Sequence, residues 1–252
     1  MNQLSKKIIL ITGGSRGIGA ATAIQAAKKG YQVCINYLKN SDSAKRVVDL
    51  INQEGGKAIA LQADVSKENE VKTLFQEIDK SFGAIHALVN NAGILETQMR
   101  VEDMSVDRLQ RVFTNNIVSC FLCSKEAMKR MSTKHGGSGG AIVNVSSIAA
   151  RTGSPGEYID YAASKGAIDA FTIGLSKEVA DEGIRVNSVR PGFIYTDIHA
   201  SGGEPGRVDR IKETLPMKRG GKPEEVASAI LWLLSDEASY SSGTFIDITG
   251  GR

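Results

Sequence analysis

The sequence predicts an α/β protein in which helices cover both faces of a parallel sheet. Apolar runs of strand length alternate with amphipathic stretches along the chain, and Gly30, Gly83 and Gly183 each stand just before an apolar run. Repeated units of one strand and one helix place their strands parallel, because parallel neighbours need a crossover connection. No second boundary is visible, so residues 1–252 are expected to form a single doubly wound domain.

The first unit predicts a phosphate-binding turn. An apolar strand at 7–11 leads into Gly13-x-x-x-Gly17-x-Gly19, and a helix of small residues follows at 20–27. Glycines let the backbone approach a pyrophosphate, and the free N–H groups and dipole of the helix start attract it. The glycine spacing differs by one position from the usual dinucleotide fingerprint, so a plain tight turn is the alternative.

The later elements repeat this pattern. Strands are predicted at 31–36, 57–61, 87–90, 141–145, 184–189 and 245–248, and helices at 116–131 and from Tyr161 onward. Ligands of parallel sheets bind beyond the carboxyl ends of the strands, where Asn90, Ser147 and Pro191 fall. Three segments interrupt the pattern. Residues 134–140 are expected to form a surface loop and residues 151–160 one wall of a pocket, and residues 199–210 are also irregular.

Tyr161 and Lys165 predict an acid/base pair. They stand four residues apart, which places both side chains on one face of a helix. A phenol has a pKa of about 10, and a fixed ammonium nearby favours the phenolate and makes the pair usable near neutral pH. The same spacing also occurs by chance on solvated helix faces.

Six motifs in one order carry a resemblance to a known family. They follow the glycine-rich turn and are Asp64-Val65, the run Asn90-Asn91-Ala92-Gly93, Asn116, Ser146-Ser147, Tyr161-x-x-x-Lys165, and Pro191-Gly192-Phe193-Ile194-Tyr195-Thr196. The chain resembles the short-chain dehydrogenase/reductase family, a Rossmann fold, over essentially its whole length. Within that family it is most similar to bacterial 3-oxoacyl-carrier-protein reductases and glucose 1-dehydrogenase-like proteins.

The resemblance implies catalytic roles. Tyr161 would exchange a proton with the substrate oxygen, while Lys165 would lower its pKa and bind the nicotinamide ribose. Ser147 would donate a hydrogen bond to the same oxygen, and Asn116 would hold the helix and a water chain. Neighbouring strand residues face opposite ways, so only one of Ser146 and Ser147 reaches the pocket, and the family pattern selects Ser147. The interval from Ser147 to Tyr161 is about one residue longer than is usual in the family, and residues 199–210 correspond to its lid.

The resemblance also implies a cofactor site. Besides Tyr161 and Lys165, it comprises Gly13, Ser15, Arg16, Gly17, Ile18, Gly19, Asn36, Tyr37, Asp64, Val65, Asn91, Ala92, Gly93, Pro191, Gly192, Ile194 and Thr196. Asp64 is expected to accept a hydrogen bond from the adenine amino group. The alternative is an ordinary turn or cap residue before Ser66.

The second strand favours NADP(H) over NAD(H). Enzymes that use NAD normally carry an acid after this strand, which would repel a 2′-phosphate. Here Asn36-Tyr37 occupy the position, and no acid follows until Asp42, while Arg16 and Lys39 could meet a phosphate. The predicted function is therefore NADP(H)-dependent interconversion of a carbonyl and a secondary alcohol. The alternatives are an NAD-dependent sugar or alcohol dehydrogenase, an epimerase or dehydratase on the same fold, and a non-catalytic nucleotide sensor.

Charge, hydropathy and cysteine content argue against several other classes of protein. The formal net charge of +3 is small and dispersed, which argues against nucleic-acid binding. No apolar run reaches the roughly 18 residues that span a bilayer, and the chain start leads straight into the first strand, so a cytoplasmic protein is expected. Cys120-x-x-Cys123 could be a redox or metal pair, but no further ligand motif accompanies it. With Cys34, these cysteines are expected to be buried and reduced, with no metal bound.

The predicted helices also indicate assembly. The helix at 116–131 and the one after Tyr161 carry more apolar positions than one buried stripe requires. In the family the equivalent helices pair across a two-fold axis, and the strand at 245–248 forms a second such contact. A homotetramer is therefore expected, and complete burial within one subunit is the alternative.

Overall fold

The computed structural model describes residues 7–252, and it confirms the predicted fold class. Seven parallel strands form one sheet in the order β3-β2-β1-β4-β5-β6-β7. The strands are β1 (Ile8–Ile11), β2 (Gln32–Tyr37), β3 (Lys57–Gln62), β4 (Ala87–Asn90), β5 (Gly140–Val145), β6 (Ile184–Pro191) and β7 (Phe245–Ile248). The order reverses between β1 and β4, which is where an open α/β sheet forms its ligand crevice.

Ten α-helices of the described residues connect these strands. They are α1 (Gly17–Lys28), α2 (Ser41–Gln53), α3 (Glu68–Ser81), α4 (Val106–Phe113), α5 (Ser119–Met131), α6 (Ala149–Thr152), α7 (Ile159–Glu178), α8 (Ile198–Ser201), α9 (Arg207–Ile211) and α10 (Pro223–Leu234). No helix of the described residues is long and apolar enough to cross a membrane.

The side chains of β1 show how the sheet forms two cores. Ile9 and Ile11 pack on one face with α1, α2 and α10, and Ile8 and Leu10 pack on the other with α3, α5 and α7. Successive strand residues point to opposite faces, so a strand covered on both sides is apolar throughout. Cys34 and Cys123 lie in the second core and Cys120 is also buried, as predicted. No cluster of metal-ligating side chains occurs between residues 7 and 252.

Two segments differ in detail from the predicted pattern. The helix predicted at 116–131 continues α4 through a wider π-helical turn at Thr114–Val118, and Asn116 lies in this turn. Such turns free backbone groups from the regular ladder and are frequent at functional sites. Residues 199–210, which the sequence predicts to be irregular, contain most of α8 and of α9, joined by a turn. The prediction that the chain start leads straight into the first strand falls partly on residues 1–6, which lie outside the described residues.

Candidate active site

The carboxyl ends of the strands open into one cleft of about 970 Å³. Ser147, Tyr161 and Lys165 line it, together with every residue of the expected cofactor site except Gly19. Gly19 and Asn116 lie just behind the cleft wall, where Gly19 packs closely on the Gly13 backbone and Asn116 accepts the Ile94 N–H. The sequence-predicted residues are therefore brought together at one site.

The glycine-rich turn forms a cradle without side chains. A Cβ on Gly19 would lie 2.5 Å from the Gly13 carbonyl oxygen, so the start of α1 can approach the turn only with glycine there. The Asn91 amide Nδ2 donates to the carbonyls of Thr12 and Gly13 at 2.9 and 3.1 Å, which ties β4 to the turn. This backbone cradle at the start of α1 fits the pyrophosphate of a dinucleotide.

The two serines after β5 point in different directions. Ser146 is 2 % exposed, and its hydroxyl donates to the Lys165 carbonyl at 3.2 Å. Ser147 is half-buried in the cleft wall, and its oxygen accepts the Ala149 N–H at 3.1 Å. Ser147 is therefore the serine whose hydroxyl is available near Tyr161.

Lys165 lies beneath the cleft. Its Nζ donates to the Val145 carbonyl at 2.7 Å and stands 5.4 Å from the centre of the Tyr161 ring. Burial lowers the pKa of Lys165 to about 8, because the charged ammonium loses its hydration. Burial likewise raises the pKa of Tyr161 to about 12, although the Ser147 hydroxyl and the charge of Arg207 oppose this rise.

The expected lowering of the Tyr161 pKa is thus absent from this structure. Loss of hydration outweighs the nearby charges, and Lys165 is not among the groups that shift the phenol. A lysine whose own pKa lies near 8 carries less than a full charge as the pH approaches that value.

Asn116 connects the π-helical turn to both flanking segments. Its Oδ1 accepts the Ile94 N–H at 2.7 Å, and its Nδ2 donates to the Ile94 carbonyl at 3.1 Å and to the Ser164 hydroxyl at 3.0 Å. Asn116 and Lys165 also border a second, small cavity behind the cleft. Asn116 therefore braces the loop after β4 against α7.

Asn36 does not present a free amide to the cleft. Its Nδ2 donates to the Ala63 carbonyl at 2.9 Å, and its Oδ1 accepts the Gly13 N–H at 3.4 Å. The expectation that this side chain selects between cofactors is not supported, because the amide holds β2, β3 and the turn together. Leu38, Lys39 and Asn40, which follow β2 and line the cleft, are exposed at this edge.

Asp64 makes the contacts of a turn residue. Its Oδ1 accepts both the N–H and the hydroxyl of Ser66, at 3.0 and 2.6 Å. Burial would raise the pKa of Asp64, but these hydrogen bonds and the nearby Lys67 outweigh it and lower the pKa. The carboxylate still lines the cleft, so the two expected roles of Asp64 are compatible.

The structure adds a charged cluster that the sequence did not indicate. Arg207 pairs with Glu157, and Arg210 bridges Glu157 at 3.5 Å and Glu204 at 2.9 Å. Arg207, Arg210 and Glu157 all line the cleft. The spacing of Arg207 and Arg210 is ordinary for a helix surface, so no sequence signal separated them from solvated charges.

The reversal of strand order and the glycine-rich turn at the start of α1 define the class of a dinucleotide-binding protein. Comparison with known proteins names the family. A family model described as Enoyl-(Acyl carrier protein) reductase matches residues 13–252. The chain belongs to the short-chain dehydrogenase/reductase family and is an NAD(P)-dependent oxidoreductase of carbonyls and alcohols.

Several relatives match over nearly the whole chain. "Uncharacterized oxidoreductase YgfF" of Escherichia coli is 63% identical, covering 97% of this chain and 99% of that protein. A 3-oxoacyl-[acyl-carrier-protein] reductase of Synechocystis is 39% identical, covering 100% and 98%. Glucose 1-dehydrogenase 2 of Bacillus subtilis is 37% identical, covering 98% and 95%. A short-chain dehydrogenase/reductase structure from Serratia marcescens aligns with a TM-score of 0.89 at 32% identity, covering 98% of each chain.

Proposed function

We propose that the protein reduces a carbonyl compound or oxidises the corresponding secondary alcohol with NADP(H) in preference to NAD(H). The observation that carries the proposal is the placement of the Ser147 and Tyr161 hydroxyls in one cleft with Lys165 and the glycine-rich turn. The alternative of a non-catalytic nucleotide sensor requires no such hydroxyl pair. The bound cofactor would supply or accept the hydride, and the chain's own groups would handle the proton.

Each side chain has a role in this proposal. Tyr161 donates the proton to the substrate oxygen in reduction and takes it back in oxidation. Ser147 donates a hydrogen bond to that oxygen, where negative charge develops. Lys165, whose Nζ stands 5.4 Å from the centre of the Tyr161 ring, would bind the cofactor ribose. Asn116 would hold the helix and a water chain for the proton through its hydrogen bonds to Ile94 and Ser164.

We assign cofactor binding to the backbone of the glycine-rich turn and to the residues that line the cleft around it. The cradle of Gly13, Gly17 and Gly19 receives the pyrophosphate. The residues Ser15, Ile18, Tyr37, Asp64, Val65, Asn91, Ala92, Gly93, Pro191, Gly192, Ile194 and Thr196 complete the walls. Asn36 contributes by fixing the turn rather than by touching the ribose.

The preference for a 2′-phosphate is supported by two exposed cations. Arg16 and Lys39 line the cleft, and neither forms an ion pair with any described carboxylate. Asp42, the first acid after β2, lies in the first turn of α2 and does not line the cleft. A phosphate near these cations would meet attraction, and Asp42 would not compete for them.

Side-by-side kinetics test the cofactor. Purified protein is assayed with NADPH and NADH against a panel of aldehydes and ketones. We expect kcat/KM to be at least about tenfold higher with NADPH, and Arg16→Gln with Lys39→Gln to erase most of that ratio by raising the KM for NADPH. Lys80→Gln, which removes an exposed lysine on α3, serves as the control. Equal or better use of NADH by the wild type would contradict the preference, and cofactor binding without any turnover would support the sensor.

Asn36→Asp is a poor route to NADH use. A carboxylate there would face the carbonyls of Leu61 and Ala63, to which the present amide donates, and would destabilise the turn. Leu38→Asp is the better change, because position 38 is exposed at the cleft edge.

Assembly into a homotetramer is also proposed. Phe121 on α5 is 50% exposed and contacts Phe171 of α7 with ring centres 4.1 Å apart, and Ile173 on α7 is 43% exposed. An apolar patch shared by two long helices favours a protein contact. Size exclusion with light scattering tests this, and a monomer mass at micromolar concentration would refute it. A cytoplasmic location stays a prediction.

A further inference from the structure

Arg207 is an unusually placed arginine at the substrate half of the cleft. Its side chain is only 10% exposed, and its guanidinium lies 4.6 Å from the centre of the Tyr158 ring and 5.2 Å from that of Phe193. Tyr158 is itself held by a hydrogen bond to the Gly202 carbonyl at 3.0 Å. The two rings fix the plane of the guanidinium beside the cleft.

Most donors of this guanidinium lack an acceptor. An arginine offers five N–H groups. Among residues 7–252, only Nη2 has an acceptor, a Glu157 oxygen, and the fully buried Nε has none. The nearest second carboxylate, Glu204, lies 3.9 Å from Nε. Glu204 instead accepts from Arg210 and from Gln98 at 2.8 Å. A buried donor such as Nε is costly without a partner, and a ligand that supplies acceptors to this guanidinium is therefore favoured.

The charge of Arg207 reaches the reacting end of the cleft. It is the one charged side chain that shifts the pKa of Tyr161, and it acts to lower it. Two other acids line the cleft. Asp64 belongs to the expected cofactor site after β3, and Asp197 follows Thr196, whose methyl group lies against Gly17 at the cofactor end. The substrate end therefore presents a cation to any molecule whose carbonyl oxygen meets Tyr161.

We propose that Arg207 binds an anionic substituent of the substrate, a carboxylate or a phosphate ester, while the carbonyl oxygen of the same molecule meets Tyr161. This inference rests on the proposed function. A planar carboxylate fits the fork of a guanidinium with two parallel hydrogen bonds, and a phosphate oxygen pair does the same. Glu157, whose side chain is 29% exposed, holds Nη2 and competes with the anion for it.

Paired substrates test the inference. One arm compares pyruvate, acetoacetate and levulinate with their methyl esters, and the other compares dihydroxyacetone phosphate with dihydroxyacetone. We expect the anion to exceed its neutral partner in kcat/KM at least about tenfold in one arm. Esters and acids differ in intrinsic reactivity. The decisive quantity is therefore the change, from the wild type to a variant, in the ratio of kcat/KM for the anion to kcat/KM for its neutral partner. In Arg207→Gln the ratio should fall at least about tenfold, through KM for the anion.

Two further variants separate recognition from folding. Arg130 is 15% exposed, pairs with Asp79 and Glu126, and lies over the Phe75 ring at 5.0 Å, so Arg130→Gln removes a similar arginine far from the cleft. It should keep the wild-type ratio. Glu157→Gln removes the competing carboxylate and should raise the ratio. A ratio that favours neutral partners in both arms, or that Arg207→Gln leaves unchanged, would overturn the inference.

Binding without turnover keeps the two proposals distinguishable. Calorimetry of the Tyr161→Phe protein with NADP⁺ and each oxo acid or phosphate reports recognition of the anion alone. If an anion binds and Arg207→Gln abolishes this binding, the inference is supported, whether or not the wild type reduces a carbonyl. Failure of the wild type to reduce any carbonyl would refute the proposed reaction alone. Turnover of neutral carbonyls with no anion binding would refute the inference and leave the reaction intact.

Discussion

Replacing Asp160 by alanine should destabilise the protein strongly, because it leaves a buried cation without its partner. Arg108 on α4 and Asp160 on α7 form an ion pair at 2.7 Å with side chains only 3% and 1% exposed. The second Asp160 oxygen accepts the Tyr161 N–H at 2.8 Å, and Arg108 also donates to the Thr97 carbonyl at 2.7 Å. Breaking one side of a buried pair costs about 3–5 kcal/mol.

Urea unfolding followed by circular dichroism measures this loss. We expect Asp160→Ala to lower the free energy of unfolding by about 4 kcal/mol, or the Tm by roughly 8–16 °C for a chain of this size. Glu77→Ala, which breaks the exposed pair with Lys80, should cost less than about 0.5 kcal/mol at the same protein concentration. The double variant Arg108→Met/Asp160→Leu should recover most of the loss. A cost below about 1 kcal/mol for Asp160→Ala, or no recovery in the double variant, would refute the unpaired-charge reasoning.

Two further predictions follow from burial. The pKa of Lys165 is lowered to about 8, against 10.5 in the unfolded chain. Between these two values the unfolded state binds more protons than the folded state. The contribution of Lys165 to the free energy of unfolding therefore rises with pH, by up to about 3 kcal/mol. The difference in unfolding free energy between wild type and Lys165→Met, measured from pH 7 to pH 10, should increase accordingly, and a flat difference would contradict the buried ammonium. Burial raises the pKa of the Cys34, Cys120 and Cys123 thiols, so iodoacetamide at pH 8 should leave the native protein unlabelled and label all three after denaturation, as mass spectrometry would show.

The fold was predictable because its signals are local and repeated. Each strand–helix unit is indicated by an apolar run and by a glycine near the end of its helix. Because consecutive strands joined by a helix must lie parallel, these units predict the parallel sheet. That only one of Ser146 and Ser147 reaches the cleft also follows from a local rule, the alternation of side chains along and just beyond a strand, whereas the choice of Ser147 came from the family resemblance.

Other parts of the site depend on contacts between distant segments. Asn36 looked like a cofactor-selecting residue, but its amide is satisfied by Ala63, 27 positions away, which no pattern around Asn36 reveals. Arg207 and Glu157 are 50 positions apart and meet only because α9 folds over the loop before α7. The Tyr161 pKa likewise depends on how much water the folded cleft removes, a property of the whole fold.

The most direct test of the central claim is single-turnover hydride transfer by Tyr161→Phe with bound NADPH and a carbonyl that the wild type reduces. Loss of the hydroxyl alone should slow the step at least about a hundredfold, the usual contribution of a positioned acid, while the Kd for NADPH changes little. A folded Tyr161→Phe protein that transfers hydride at more than a few per cent of the wild-type rate would contradict the assignment of Tyr161 as the proton donor.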